Sequence, residues 1–338
     1  MDLGQQEILV MLGLMAAFYM AWNLGANDAA NPTDTAVGAG AISLRKALLL
    51  FSLFAILGAM LQGYRVIKTI GKGVVKDLDP IMALSASLAA GLWVTIATRK
   101  GLPVSTTHST VGAVLGVGFA RGLLGSSSKI DWGVVVKVIL SWITSPLGAI
   151  VVAIVLYYVF HRLYVTLVSR GWNVDRVFQA ILLFNLAFSA YAFGANDVGN
   201  ATGVYVTVVS KTLGFPDQRT LQFLALLGGI GIMAGALTWG YRVVMRVGFN
   251  ITKLDYVSGG AAELSNALVV YAFTLMGMPV STTHASVSSI IGVGIAKGRG
   301  LSGIDKWTVL VIILGWLATV PAAAGLAASI YTLISFIL

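Results

Sequence analysis

Apolar residues in this chain run in blocks too long for the core of a soluble domain. LVMLGLMAAFYMAW (9–22), VVVKVILSWITSPLGAIVVAIVLYYVF (134–160) and LVIILGWLATVPAAAGLAASIYTLISFIL (310–338) set the pattern. A helix needs about 20 residues to cross the hydrocarbon of a bilayer, and the two longer blocks exceed that. Barrel strands would alternate polar and apolar over roughly 10 residues, and no such alternation is present. Each half of the chain holds five apolar segments, two of which, near 81–97 and 103–119, are separated by only a few polar, Gly or Pro residues. The pattern predicts an all-α polytopic membrane protein.

Composition agrees: 57% of residues are hydrophobic and 10% charged, against about a quarter charged in soluble domains. The net charge of +9 comes from 22 basic residues spread over nearly every loop, often beside an acid, as in KGVVKDLDP. That distribution fits contact with lipid headgroups, and no nucleic-acid partner is expected. Without cysteine there is no disulfide or thiolate chemistry. The start Met1-Asp2 is acidic and no small-residue cleavage site follows the first block, so a removable leader is not expected.

Polar words break the apolar pattern twice, in the same order. GANDAAN (25–31) returns as GANDVGN (194–200), GYRV (63–66) as GYRV (240–243), PVSTTH (103–108) as PVSTTH (279–284), GVGFARG (116–122) as GVGIAKG (292–298), and Ile130-Asp131 as Ile304-Asp305. The chain is an internal duplication: a first repeat over 1–160, a basic connector HRLYVTLVSRGWNVDR (161–176), and a second repeat over 177–338. With an odd segment count the repeats enter the membrane from opposite sides, giving inverted repeats with half-helices meeting near the midplane. The positive-inside rule places the connector inside and both termini outside a cell (inner) membrane. The Arg65/Lys68/Lys72 and Arg242/Arg246 loops then fall on opposite faces.

Proline followed by Ser-Thr-Thr reads as a helix start, with hydroxyls capping free N–H groups. At membrane depth its amides and positive dipole end suit an anion. Ser105, Thr106 and Thr107 on one side and Ser281, Thr282 and Thr283 on the other would make a cage of donors that can also accept, which suits a small, partly protonated oxyanion. Ordinary capping, or hydroxyls bonded back to the preceding turn, is the alternative.

Asp28 and Asp197 carry the opposite charge, flanked by Asn27 and Asn196, with Asn31 and Asn200 one turn on. A carboxylate in hydrocarbon costs roughly 3 kcal/mol or more and needs a partner. No Lys or Arg shares its segment. Carboxylate and amide oxygens, with carbonyls freed by a helix broken at Gly25 or Gly194, are hard ligands for sodium, or a place for a proton; capping at the membrane surface is the alternative. Two carboxylates and one phosphate-like anion roughly balance two or three monovalent cations, the charge logic of coupled transport. Two further acids are asymmetric: Glu263 aligns with Ser87 and Asp34 with Gly203. Each is a candidate cation ligand, with a hydrogen bond or a cap as alternative. His108 and His284 could titrate with substrate, or orient neighbouring helices. Ser105, His108 and Asp28 could also be arranged as a membrane hydrolase, but duplication would then demand two active sites, so no enzyme is expected.

The paired GAND and PVSTTH sequences resemble the signatures of the inorganic phosphate transporter family, over both halves and in order. The resemblance implies phosphate uptake with sodium, or with protons as in many bacteria. It implies phosphate contacts by Ser105, Thr106, Thr107, Ser281, Thr282 and Thr283, coupling ions served by Asn27, Asp28, Asn196 and Asp197, an inverted duplication, and a homodimer. A related oxyanion such as sulfate, or a metal-phosphate complex, would suit the same cage. No cofactor is expected. Two departures stand out. The long hydrophilic central loop of animal relatives is missing, as in bacterial or archaeal members, and Pro32 follows the first motif where small residues are usual.

Overall fold

A computed structural model describes residues 3–71, 73–125, 128–247, 252–300 and 304–337. Met1, Asp2 and Lys72 lie outside the described residues, as does the side chain of Arg246. The first half folds into α1 (Leu3–Asp28), α2 (Ala30–Gly38), α3 (Leu44–Gln62), α4 (Tyr64–Gly71), α5 (Pro80–Arg99), α6 (Thr106–Leu123) and α7 (Trp132–Ser169). The second comprises α8 (Val174–Leu213), α9 (Gln218–Trp239), α10 (Tyr241–Val247), α11 (Tyr256–Leu275), α12 (Thr282–Gly294) and α13 (Lys306–Ile337). Among the described residues, six of these, α3, α5, α7, α8, α9 and α13, are long and apolar enough to cross a membrane. The protein is an all-α polytopic membrane protein; among the described residues the one extended pairing is a bridge between Val75 and Ile130. The closely spaced segments near 81–97 and 103–119 are α5 and α6.

Polar residues between the apolar blocks start the helices. Asp79, Asp131, Asn173, Asp217 and Asp255 each accept a backbone N–H from the first turn of α5, α7, α8, α9 and α11. The halves do not stand side by side. Instead α1 packs along α9 and α3 along α8, while α6 lies against α13 and α12 against α7.

Glycines set how close these crossings are. A Cβ on Gly25 would lie 1.8 Å from the Ile232 carbonyl oxygen, and one on Gly235 1.8 Å from that of Trp22. The equivalent crossing repeats the device: Gly194 would meet the Ala55 oxygen at 1.9 Å and Gly58 that of Tyr191 at 1.9 Å. Small residues let backbones touch where lipid supplies no hydrophobic drive between helices.

This corrects the expectation that Gly25 or Gly194 breaks its helix. α1 continues through Gly25 to Asp28, and α8 runs unbroken through the whole of GANDVGN. The break occurs only in the first copy, at Ala29, and Pro32 explains it. Proline has no N–H to return to the carbonyl four residues back, at Asp28, and its ring crowds that position. Ala201 stands at the matching place in the second copy and lets the helix pass.

Candidate functional site

α6 and α12 begin deep inside the protein, as the Pro-Val-Ser-Thr-Thr sequence predicts. Ser105 and Ser281 are their N-caps, and their hydroxyl oxygens accept the backbone N–H of His108 and His284, each at 3.2 Å. The two starts are joined reciprocally. Thr107 Oγ1 donates to the Val280 carbonyl at 2.8 Å and Thr283 Oγ1 to the Val104 carbonyl at 3.2 Å. Every residue from Ser105 to Thr110 and from Ser281 to Ser286 is buried.

The GAND asparagines clamp the extended strands of chain that lead into these starts. Asn27 Nδ2 donates to Thr98 Oγ1 at 2.9 Å and to the Leu102 carbonyl at 3.0 Å, and its Oδ1 accepts from Val104 N at 3.1 Å. Asn196 repeats the set on Thr274 Oγ1 at 3.0 Å, the Met278 carbonyl at 3.1 Å and Val280 N at 3.1 Å. Each asparagine oxygen therefore already carries one hydrogen bond, leaving one lone pair for an ion.

Asp28 stands where both half-helices meet α1. Thr106 of its own half donates to Oδ2 at 2.6 Å, and Thr283 of the other half reaches Oδ1 at 3.3 Å. Asn31 Nδ2 donates to Thr282 and Thr283 at 3.2 and 3.1 Å. Asn200 Nδ2 donates to Thr107 Oγ1 at 3.0 Å and to Asp197 Oδ1 at 2.8 Å. Asp197 Oδ2 and Asn200 Oδ1 are buried acceptors with no donor. Asp28 and Asp197 have no measurable exposure, and neither forms an ion pair with a lysine or arginine among the described residues. The structure thus brings the SerThrThr and GAND residues of both repeats into one cluster of hydroxyls, amides and uncompensated carboxylate oxygens.

Glu263 and Asp34 form a second group beside it. The Thr35 hydroxyl donates to Glu263 Oε2. Glu263 Oε1, both oxygens of Asp34 and Asn266 Oδ1 are buried without a partner. Asn266 Nδ2 donates to Ser189 Oγ at 3.0 Å and to the Asn31 carbonyl at 3.4 Å, linking this group to the first. Thr35, Ser189 and Asn266 were not singled out by the sequence. The signal for Asn266 was its place three residues after Glu263, one helical turn away; nothing in the sequence marks Ser189.

His108 and His284 meet ring to ring, their centroids 4.6 Å apart. Trp142 packs on the first at 3.7 Å and Trp316 on the second at 3.8 Å. The exposed Trp132, Trp172 and Trp307 suit anchoring at the membrane interface. Trp142 and Trp316 instead join α7 and α13 to the half-helices.

Comparison with known proteins identifies the family. A sequence profile of the Phosphate transporter family matches residues 24–327. A Pyrococcus furiosus protein bearing the name phosphate permease is 35% identical, with 96% of this chain and 95% of that protein covered. The Arabidopsis thaliana inorganic phosphate transporter 2-1, chloroplastic, is 29% identical over 98% of this chain and 74% of its own. A solved structure of a sodium-dependent phosphate transporter superposes with a TM-score of 0.85 at 30% identity, covering 98% of this chain and 100% of that one. These relatives are transport proteins and not enzymes, and Asp28 bonds threonines rather than orienting His108 for a hydrolase. With the profile spanning 24–327 and both repeats carrying the same motifs in one buried cluster, the chain belongs to the phosphate transporter family.

Proposed function

We propose that the protein imports inorganic phosphate with sodium across a cell (inner) membrane. One observation carries this reading: Asp28 accepts hydroxyls from both half-helices, Thr106 and Thr283. A cation at Asp28 would weaken the claim of the carboxylate on those hydroxyls and let them turn to an anion. Phosphate would then be held by Ser105, Thr106, Thr107, Ser281, Thr282 and Thr283. Sodium would be held by Asp28, Asp197 and the free lone pairs of Asn27, Asn196, Asn31 and Asn200, with a further cation at Asp34 and Glu263. Neither ion is favoured alone in a dry site, so loading is coupled. The name of the structural relative, a sodium-dependent phosphate transporter, supports sodium as the coupling ion.

The matching bonds of Asn27 and Asn196 support an inverted repeat, with the connector inside and both termini outside; a homodimer belongs to the same reading. Proton coupling is the second reading, favoured by the buried, donorless carboxylate oxygens of Asp197, Asp34 and Glu263, whose charge a proton would remove. Radiolabelled phosphate uptake into proteoliposomes separates the two, with inward sodium and proton gradients imposed in turn and sulfate as competitor. Uptake driven by sodium and indifferent to sulfate is the expected result. Uptake driven only by protons would reassign the carboxylates as proton carriers, and no uptake under either gradient would overturn the substrate.

A further inference from the structure

We propose that a cavity at the start of α7 is a recruitment site for the phosphate oxyanion, separate from the central cage and charged by Lys137. The inference rests on phosphate being the transported ion. The cavity, of about 220 Å³, is lined by Thr69, Val134, Lys137, Val138, Met278 and Pro279. A single buried water needs only about 15 Å³ by a comparable measure, so the space admits something larger. Lys137 is the one charged residue in the lining, no carboxylate faces it there, and the lysine makes no hydrogen bond or ion pair among the described residues.

The floor of the cavity is the segment that becomes the α12 half-helix. Ser141 Oγ donates to the Pro279 carbonyl at 2.9 Å, the next carbonyl, Val280, accepts Thr107, and Ser281 caps α12. Lys137, Ser141 and Ser145 are spaced by four and share one face of α7, making a polar stripe from the cavity inward. Ser145 Oγ is buried without a partner along that stripe. The roof is Thr69 of α4, the helix that begins in the repeated GYRV word, which the central site does not use. Arg65 and Thr69 lie one turn apart on α4, and α4 rests on the turn before Met278: a Cβ on Gly277 would be 3.2 Å from the Arg65 carbonyl oxygen and 3.3 Å from Thr69 Oγ1. Arg65 reaches the Leu275 carbonyl at 3.3 Å with Nη1, while its buried Nε has no acceptor.

The second repeat does not carry the Lys137–Ser141 pair of α7. The register set by Trp142 and Trp316 puts Val311 and Gly315 where the first repeat has Lys137 and Ser141. Lys137 lies 24 residues before the connector begins at 161, roughly 36 Å along α7, so the cavity belongs to the opposite membrane face. With the connector inside, that is the face from which imported phosphate arrives. A lysine near a helix end commonly snorkels to lipid headgroups, and a lipid phosphodiester presents the same chemistry as free phosphate. The unpaired Lys137 beside the stretch of chain that leads into α12 favours the free ion.

Phosphate uptake kinetics test the proposal, using proteoliposomes of phosphatidylcholine alone and with added phosphatidylglycerol. Lys137→Met is expected to raise the phosphate KM about threefold to tenfold while Vmax moves less than about twofold, because a fixed charge acts chiefly on arrival. Lys137→Arg restores the wild-type KM. The difference fades between roughly 0.01 and 1 M salt, as the Debye length falls from about 30 to 3 Å. Thr69→Lys, which adds a cation to the same lining, lowers KM and keeps the test decisive if Lys137→Met fails to insert. An unchanged KM in both Lys137→Met and Thr69→Lys, or a change indifferent to salt, would overturn the proposal. A difference confined to vesicles containing phosphatidylglycerol would assign the site to lipid and equally overturn it. Absence of uptake by the wild-type protein would be the separate failure of the transport reading.

Discussion

Thr283 shows how much one hydroxyl is asked to do. It donates towards Asp28 and towards the Val104 carbonyl, so it touches the other half twice. Its single proton is shared between the two acceptors, and Thr283→Val keeps the shape while removing it; hydrogen bonds to charged groups contribute about 1.5–3 kcal/mol, so phosphate uptake is expected to fall by about tenfold or more. Asp28→Asn can still accept from Thr106 and should fold, yet sodium-driven uptake is expected to vanish while the melting temperature stays near wild type. Away from the membrane, Asp131 caps α7 and pairs with Lys76 at 2.9 Å. The Lys76 ammonium, with the Val134 N–H, holds its carboxyl below the usual range. A depressed carboxyl stabilises above its ordinary value of about 4 and loses that contribution as pH falls through the lower folded value. The difference in melting temperature between wild type and Asp131→Asn should therefore shrink as pH drops below about 4. At this scale the sequence was informative wherever chemistry is local: Ser105 and Ser281 are caps because the hydroxyl and the N–H it serves are three residues apart. The partner of Glu263 was not legible, since Thr35 meets it across 228 positions.

Helices were readable from their apolar blocks, and their starts from Asp and Asn caps. The path of α1 was not. Gly25 looks like a breaker in one dimension, while in three it is the point where α9 comes within contact of the α1 backbone. Gly58→Leu or Gly194→Leu would drive a side chain into a carbonyl at 1.9 Å, and both are expected to lower the yield of monodisperse protein and its melting temperature. Pro32→Ala should remove the cause of the break at Ala29 and let α1 run into α2, as α8 does through Ala201. Hydrogen exchange of the amides around Ala29, slower in the variant, would register that change.

Over the whole molecule, the duplication was plain in the order of the repeated words, but its spatial consequence was hidden. Sequence reading divides the chain at the connector, whereas four extensive crossings join one half to the other: α1 with α9, α3 with α8, α6 with α13 and α12 with α7. Hydrophobic periodicity says which face of a helix is buried, never against which helix. Neither half is expected to form a stable protein alone, and the two halves, separated within the connector at 161–176 and expressed together, should recover phosphate uptake.

The crossed bonds of Thr107 and Thr283 extend this interdependence to the centre. The side chain at each half-helix start supports the stretch of chain leading to the other. Withdrawing one start removes a prop from its twin, so the two cannot be released in turn. The repeated Ser-Thr-Thr words have thus produced a single interlocked keyhole rather than two separate ones.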